Sequence, residues 1–223
     1  MVKLCVFDLD GTLVYTLADL TASLNYALEQ CGFPTLSEAD VSAIVGHSTK
    51  YMCEHAVPPE HADQADTVLD IYQKHYGRHS TDHSYPYDGM VEAVLAIKRA
   101  GVRVAVVSNK PHADTVKVIG ALYPKDTFSM VLGRMNKFPI KPAPDALNFV
   151  MDFFGVKPED AVYVGDSDVD VVFARNANMR CVAVRWGYRT VEELLAAGAD
   201  CMTDDPKELA DLVLNGPNGE TTC

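Results

Sequence analysis

The unbroken apolar run Leu4-Cys5-Val6-Phe7 ends in Asp8-Leu9-Asp10-Gly11-Thr12, and that junction limits the fold more than any other stretch. Residues 2–7 read as a strand without polar alternation, which needs cover on both faces, as strands of parallel sheets have. Side chains two apart in an extended chain face the same side, so Asp8 and Asp10 share one small space if the strand runs that far. Two carboxylates held so close repel each other, and at neutral pH they need a cation or a raised pKa. A hard divalent metal is the simpler answer.

The rest of the chain divides into two kinds of pattern. Residues 16–83 read as helical. Thr16-Leu17-Ala18-Asp19 resembles a capping box, and Leu17, Leu20, Leu24 and Leu28 keep helical spacing. Ser37 and Asp40 open a second helix, residues 47–56 a third, and residues 60–76 a fourth. From Pro86 onward, helices are expected at 88–100, 111–122, 144–154, 169–176, 191–197 and 207–214. Strands are expected between them at 102–107, 130–132, 161–164 and 181–184. Such alternation implies a parallel sheet with helices on both faces. The expected fold class is therefore α/β, with a Rossmann-like parallel sheet core and a small all-helical cap. The core takes residues 1–14 and 86–215, the cap 15–85, and a flexible tail 216–223. Ser108, Asn109 and Asp166 all follow expected strands, as Asp8 does, and in an open α/β sheet ligands bind beyond those carboxyl ends.

Composition sharpens this. Across 223 residues the formal net charge is −12, which argues against nucleic acid as a partner. An anionic substrate therefore gets no help from the overall field, and the site must supply local positive charge. No apolar run is long enough to span a bilayer, and no membrane partner is expected. The six cysteines show no C-x-x-C spacing. Cys5 and Cys181 read as buried thiols, and a reduced, cytoplasmic protein without a disulfide framework is expected.

Asp8-Leu9-Asp10-Gly11-Thr12, Val107-Ser108-Asn109, Lys141-Pro142 and Gly165-Asp166-Ser167, in this order, resemble the haloacid dehalogenase-like hydrolase superfamily. The similarity is greatest to its phosphoglycolate phosphatase-type branch, whose helical cap follows the first motif. The resemblance implies a phosphatase that hydrolyses a small phosphorylated metabolite through an aspartyl-phosphate. It makes Asp8 the nucleophile and Asp10 the general acid and base. It places Mg²⁺ among Asp8, the backbone carbonyl of Asp10, and Asp166, with Asp170 in support. Ser108 and the Asn109 backbone would hold phosphoryl oxygens, and Lys141 would offset charge on the phosphate and on Asp8. Alternatives of the same fold are a phosphosugar mutase similar to beta-phosphoglucomutase and a non-catalytic regulatory protein. Tyr15-Thr16 and Asn176-Ala177-Asn178 depart from the branch's usual residues, outside the chemistry.

Some residues carry two readings. Gly46-His47-Ser48-Thr49-Lys50 sits at a cap turn, where His47 and Lys50 are candidate contacts to the organic part of a substrate or simply an exposed helix start. His75, His79 and His83 have metal-stripe spacing, but Gly77 and Ser80-Thr81-Asp82 favour a solvated surface. Asp168 reads as a cap or solvent-exposed acid. A monomer or homodimer is expected.

Overall fold

A computed structural model describes residues 1–215; the tail expected at 216–223 lies outside the described residues. Six strands form a wholly parallel sheet in the order β5-β4-β1-β6-β7-β8, with β1 Leu4–Phe7, β4 Arg103–Pro111, β5 Met130–Arg134, β6 Ala161–Gly165, β7 Arg180–Val184 and β8 Met202–Thr203. The chain starts in the middle of the sheet, runs outward through β4 and β5, and returns to β6 on the other side of β1. The strand order therefore reverses at β1, whose carboxyl end opens onto the crevice.

All four β1 side chains have zero exposure, and they divide between two apolar clusters. Cys5 and Phe7 join Val104, Val106, Val162 and Val164 on one face. Leu4 and Val6 join Ala105, Val107, Ala161 and Tyr163 on the other. This alternation is why the strands carry no polar side: helices cover both faces. α5 (Met90–Arg99) and α10 (Pro206–Asn215) bury Met90, Ile97, Leu209 and Val213 in the first cluster, and α7 (Asp145–Phe154) buries Leu147 and Val150 in the second.

Between β1 and β4 lie α1 (Leu17–Gln30), α2 (Glu38–Ile44), α3 (Thr49–Ala56) and α4 (Ala65–His79), gathered around their own apolar cluster of Leu24, Leu28, Val41, Met52, Val68 and Tyr72. A two-stranded antiparallel ribbon, β2 (Val14–Tyr15) with β3 (Tyr85–Pro86), ties the two ends of this helical segment together.

The structure departs from the expected elements in instructive places. The capping box expected at Thr16 does not form. Its hydroxyl donates instead to Asp10 Oδ1 at 2.6 Å, while the Asp19 carboxylate accepts from the backbone N–H groups of His83 and Ser84 and from Ser84 Oγ. Tertiary partners outcompeted the local cap. The fourth helix of this segment is preceded by a 3₁₀ turn, Pro59–Gln64, and α4 then runs to His79 with Gly77 inside it. β4 runs four residues past its expected end, and β8 is too short for a recognisable pattern. Cys5, Cys31, Cys53 and Cys181 are free thiols. Among the described residues no helix is long and apolar enough to cross a membrane.

Candidate active site

Asp8 is the first residue after β1, and its backbone N–H is held by Val164 O of β6 at 2.9 Å. The chain then turns at Gly11, whose φ of +82° suits a residue without a side chain. A Cβ there would lie 2.3 Å from Asp166 Oδ2, so the turn passes directly over that acid. Gly187, in the loop after β7, approaches from the other side: its Cβ would lie 2.2 Å from Asp166 Cβ. Asp166 is clamped between two glycines, with Thr12 Oγ1 donating to its Oδ1 and the Tyr188 N–H donating to its Oδ2, both at 2.8 Å.

Behind these acids stands Asp170, with zero exposure. Ser167 caps α8 (Asp168–Asn176) through a complete capping box in which Asp170 is the reciprocal acid. Asp170 Oδ2 accepts from the Ser167 N–H and Oγ, and Oδ1 accepts from Tyr163 Oη at 2.9 Å and Lys141 Nζ at 2.7 Å. Four donors leave it little capacity for anything else. Its work is to anchor Lys141, whose ammonium also sits 2.9 Å from Asp8 Oδ1. That second contact is a buried ion pair, and the Lys141 ammonium is the charged partner of Asp8 Oδ1.

The electrostatics follow from this packing. Burial pushes Asp8 and Asp166 well above the usual carboxylate range; Lys141 opposes the shift at Asp8, and the charge of Asp170 adds to it at both. Burial also acts against the Asp170 carboxylate, but Lys141 and the hydrogen bonds around it bring Asp170 below its ordinary value. One carboxylate oxygen from each of Asp8, Asp166 and Asp170 lies within 4.8 Å of the others. Three buried acids face one ammonium, and the deficit of two charges among three oxygens so close together fits a hard divalent cation bound through oxygen.

Asp10 lies beside this cluster but not in it. Its carboxylate turns to Lys110 Nζ, at 2.9 Å from Oδ1 and 3.2 Å from Oδ2, and to Thr16 Oγ1. As an expected metal residue it therefore has only its backbone carbonyl to offer the ion. Ser108, Asn109 and Lys110 reach the crevice because β4 continues past Val107 while its register with β5 shifts between Val107 and Pro111. Such irregularities re-aim side chains and often adjoin active sites. Ser108 faces the same recess as Asp8. The Asn109 amide is used structurally: Oδ1 accepts from the Lys141 N–H at 2.8 Å, and Nδ2 donates to Gly46 O at 3.1 Å.

The recess, of about 480 Å³ counting the space open to solvent, has Asp8, Asp10, Ser108 and Lys110 on the sheet side. His47, Met52, Tyr72 and Tyr76 close it from the helical side. His47 stacks on Tyr51 with its Nδ1 buried and unpartnered. Lys50, the other candidate contact, is half exposed in the first turn of α3 and ion-paired with Glu54 and Asp66, and it does not line the recess. The histidine stripe likewise binds locally, His75 to Ser23 and His79 to Asp82. Asp168 accepts from Arg189 Nε at 3.3 Å.

Reasoning from sequence missed Lys110, Gly187 and Arg189. Arg189, buried in the loop after β7, donates to Ser42 O and Val45 O, both at 2.7 Å, and so grips the end of α2. The only available signal was proximity: Lys110 directly follows Ser108-Asn109, and Arg189 directly precedes a capping box at Thr190.

The profile of haloacid dehalogenase-like hydrolases matches residues 5–184. A phosphoglycolate phosphatase of Vibrio vulnificus is 33% identical over 224 residues, covering 96% of both chains. Phosphoglycolate phosphatase 1 of Pseudomonas aeruginosa is 31% identical, covering 93% of this chain and 78% of its own. A crystal structure from Lactobacillus delbrueckii subsp. bulgaricus, provisionally assigned as a phosphoglycolate phosphatase, superposes with a TM-score of 0.90 at 30% identity, covering 96% of this chain and 98% of its own.

Proposed function

The chain belongs to the haloacid dehalogenase-like hydrolase family, and on that premise we propose that it is a Mg²⁺-dependent phosphomonoesterase acting on a small phosphorylated metabolite of the phosphoglycolate type. The observation that carries this reading is the approach of Asp8 to both Asp166 and Lys141 at the reversal point of the sheet. The curated relatives are named for hydrolysis of phosphoglycolate, which supports the substrate type.

In this mechanism Asp8 attacks phosphorus and becomes an aspartyl-phosphate, and the alkoxide leaves toward Asp10. Asp10 protonates the leaving oxygen and then takes a proton from the water that hydrolyses the acyl phosphate. A carboxylate nucleophile divides one difficult displacement into two easier ones, and acid–base help contributes on the order of 10²–10⁴-fold. Lys141, held by Asp170 and Tyr163, balances charge on the transferring group and on Asp8. Ser108 would hold a phosphoryl oxygen, a role supported by its sharing one recess with Asp8. Asp8, Asp166 and the Asp10 carbonyl would hold Mg²⁺, which when bound neutralises charge on the phosphoryl oxygens. Phosphoryl transfer leaves the protein mainly positioning and electrostatic work, and this inventory suits both.

We read residues 15–85 as a cap over residues 1–14 and 86–215. Its separate apolar cluster supports that division, and Asn109 and Arg189 bridge the two parts. The test is turnover of p-nitrophenyl phosphate by purified protein with Mg²⁺, expected to vanish with EDTA and in Asp8→Ala. Turnover that survives both treatments refutes the mechanism.

A further inference from the structure

Lys110 has an unusual position for a lysine. Its side chain is 3% exposed, yet it lines the recess that also holds Asp8 and Asp10. An ammonium has three N–H donors and no acceptor. Among the described residues its hydrogen bonds go to Asp10 alone, where Thr16 already supplies another donor. The ammonium lies over the Tyr76 ring, 4.5 Å from the centroid, a favourable but undirected contact. Buried polar groups are ordinarily paired, so donor capacity is left over inside the recess.

Tyr76 adds a second observation from the opposite wall. It is 1% exposed and lines the same recess, and its hydroxyl is buried without a hydrogen-bond partner. Leaving such a group unpaired is costly. Tyr76 belongs to α4 and Lys110 to β4, so the helical segment and the sheet each bring one incompletely paired donor to the same place. Lys110 is paired with Asp10, and Tyr76 lines the recess that holds them both. Asp8 and Lys141 account for the phosphoryl end, and nothing in that set requires a buried ammonium beyond Asp10.

We propose that Lys110 and Tyr76 together form the specificity-determining receptor for a second anionic group, a carboxylate carried close to the ester oxygen of the substrate. The carboxylate accepts from the ammonium, which it shares with Asp10, and from the Tyr76 hydroxyl. A neutral alcohol of the same length leaves both donors unpaired, and rejection of such analogues by unpaired buried groups is a strong form of discrimination. Because the receptor is completed by a residue of α4, selectivity requires the helical segment to be seated on the sheet. This inference rests on the phosphatase reading and extends it to particular residues.

The test compares kcat/KM for phosphoglycolate and ethyl phosphate, a two-carbon monoester without the carboxylate, using the full chain with Mg²⁺. Wild type is expected to prefer phosphoglycolate by at least about tenfold. Tyr76→Phe, which keeps the ring and removes an orphaned hydroxyl, should lower that preference by about 3- to 10-fold; Lys110→Met should lower it by about 10- to 100-fold. Both losses should appear mainly in KM for phosphoglycolate. If Lys110→Met fails to fold, Lys110→Arg and Tyr76→Phe still decide: the first should keep most of the preference and the second should not. No preference in wild type overturns the proposal. So does an equal fall in kcat for both substrates, because it would restrict Lys110 to holding Asp10. Failure of wild type to turn over even p-nitrophenyl phosphate would show separately that the phosphatase reading is at fault, and the receptor would fall with it.

Discussion

Gly187→Ala is a one-methyl test of whether Asp166 must stay where it is. The glycine has no positive φ to protect, so alanine is acceptable to the backbone, and only space is at issue. The new Cβ would lie 2.2 Å from Asp166 Cβ and 2.4 Å from Oδ2, against the 3.4 Å at which ordinary contact begins. The shortfall is about 1.2 Å. Asp166 follows the central strand β6 and is bonded on both oxygens, so it has to move as a unit or drag the loop outward. A misplacement of about 1 Å in a catalytic group costs on the order of 10² in rate. Overpacking of this kind costs about 1–3 kcal/mol of stability, which for a chain of this length lowers the melting temperature by roughly 2–12 °C. The assay is kcat for p-nitrophenyl phosphate at saturating Mg²⁺, with Mg²⁺ affinity measured by calorimetry and stability by thermal melt. Gly77→Ala is the control. Gly77 lies within α4, has ordinary φ and meets nothing within 4 Å, so the substitution should stabilise by about 0.5–1 kcal/mol and leave activity at the wild-type level. A Gly187→Ala protein with normal kcat and normal Mg²⁺ affinity would refute the claim that Asp166 is held for the metal.

Other expectations follow from the same contacts. Arg189→Ala removes the donors to Ser42 O and Val45 O and should cost roughly 2–4 kcal/mol. Small-angle scattering should also show a larger radius of gyration and kinetics a raised KM; an unchanged radius and KM would show that Arg189 does not seat the helical segment. The metal-free protein should lose stability as pH rises. Burial lifts Asp8 to about 7 and Asp166 to about 8, above their ordinary 3.8. An acid whose folded pKa is raised favours the fold while protonated, and that contribution is lost as pH climbs through the folded value. Melts in EDTA should therefore fall between about pH 4 and 8, and saturating Mg²⁺ should flatten the decline; an EDTA melt that rises over this range would contradict the electrostatics.

The sequence alone was enough to establish what local physics controls. An apolar run followed by Asp8, repeated strand–helix alternation, and caps such as Ser37–Asp40 act within a few residues, so the elements and the acids at strand ends were legible in order. Asp8, Ser108 and Asp166 could be placed because each sits at the end of, or just beyond, an expected strand, whereas Lys141 was named from its Lys-Pro motif ahead of a helix and from the family resemblance. Which partners those groups would find was a different matter. Lys110 and Asp10 are separated by 100 positions and meet only because β4 pairs beside β1 and then shifts register. Thr16 looked like a helix cap and serves Asp10 instead, while Lys50, readable as a substrate contact or an exposed helix start, is half exposed and ion-paired with Asp66. Gly187 carries no local signal at all, since its significance is the closeness of Asp166. Periodicity and capping decide how a segment is built; strand order and burial decide which distant charges must share a space, and that sharing sets the chemistry.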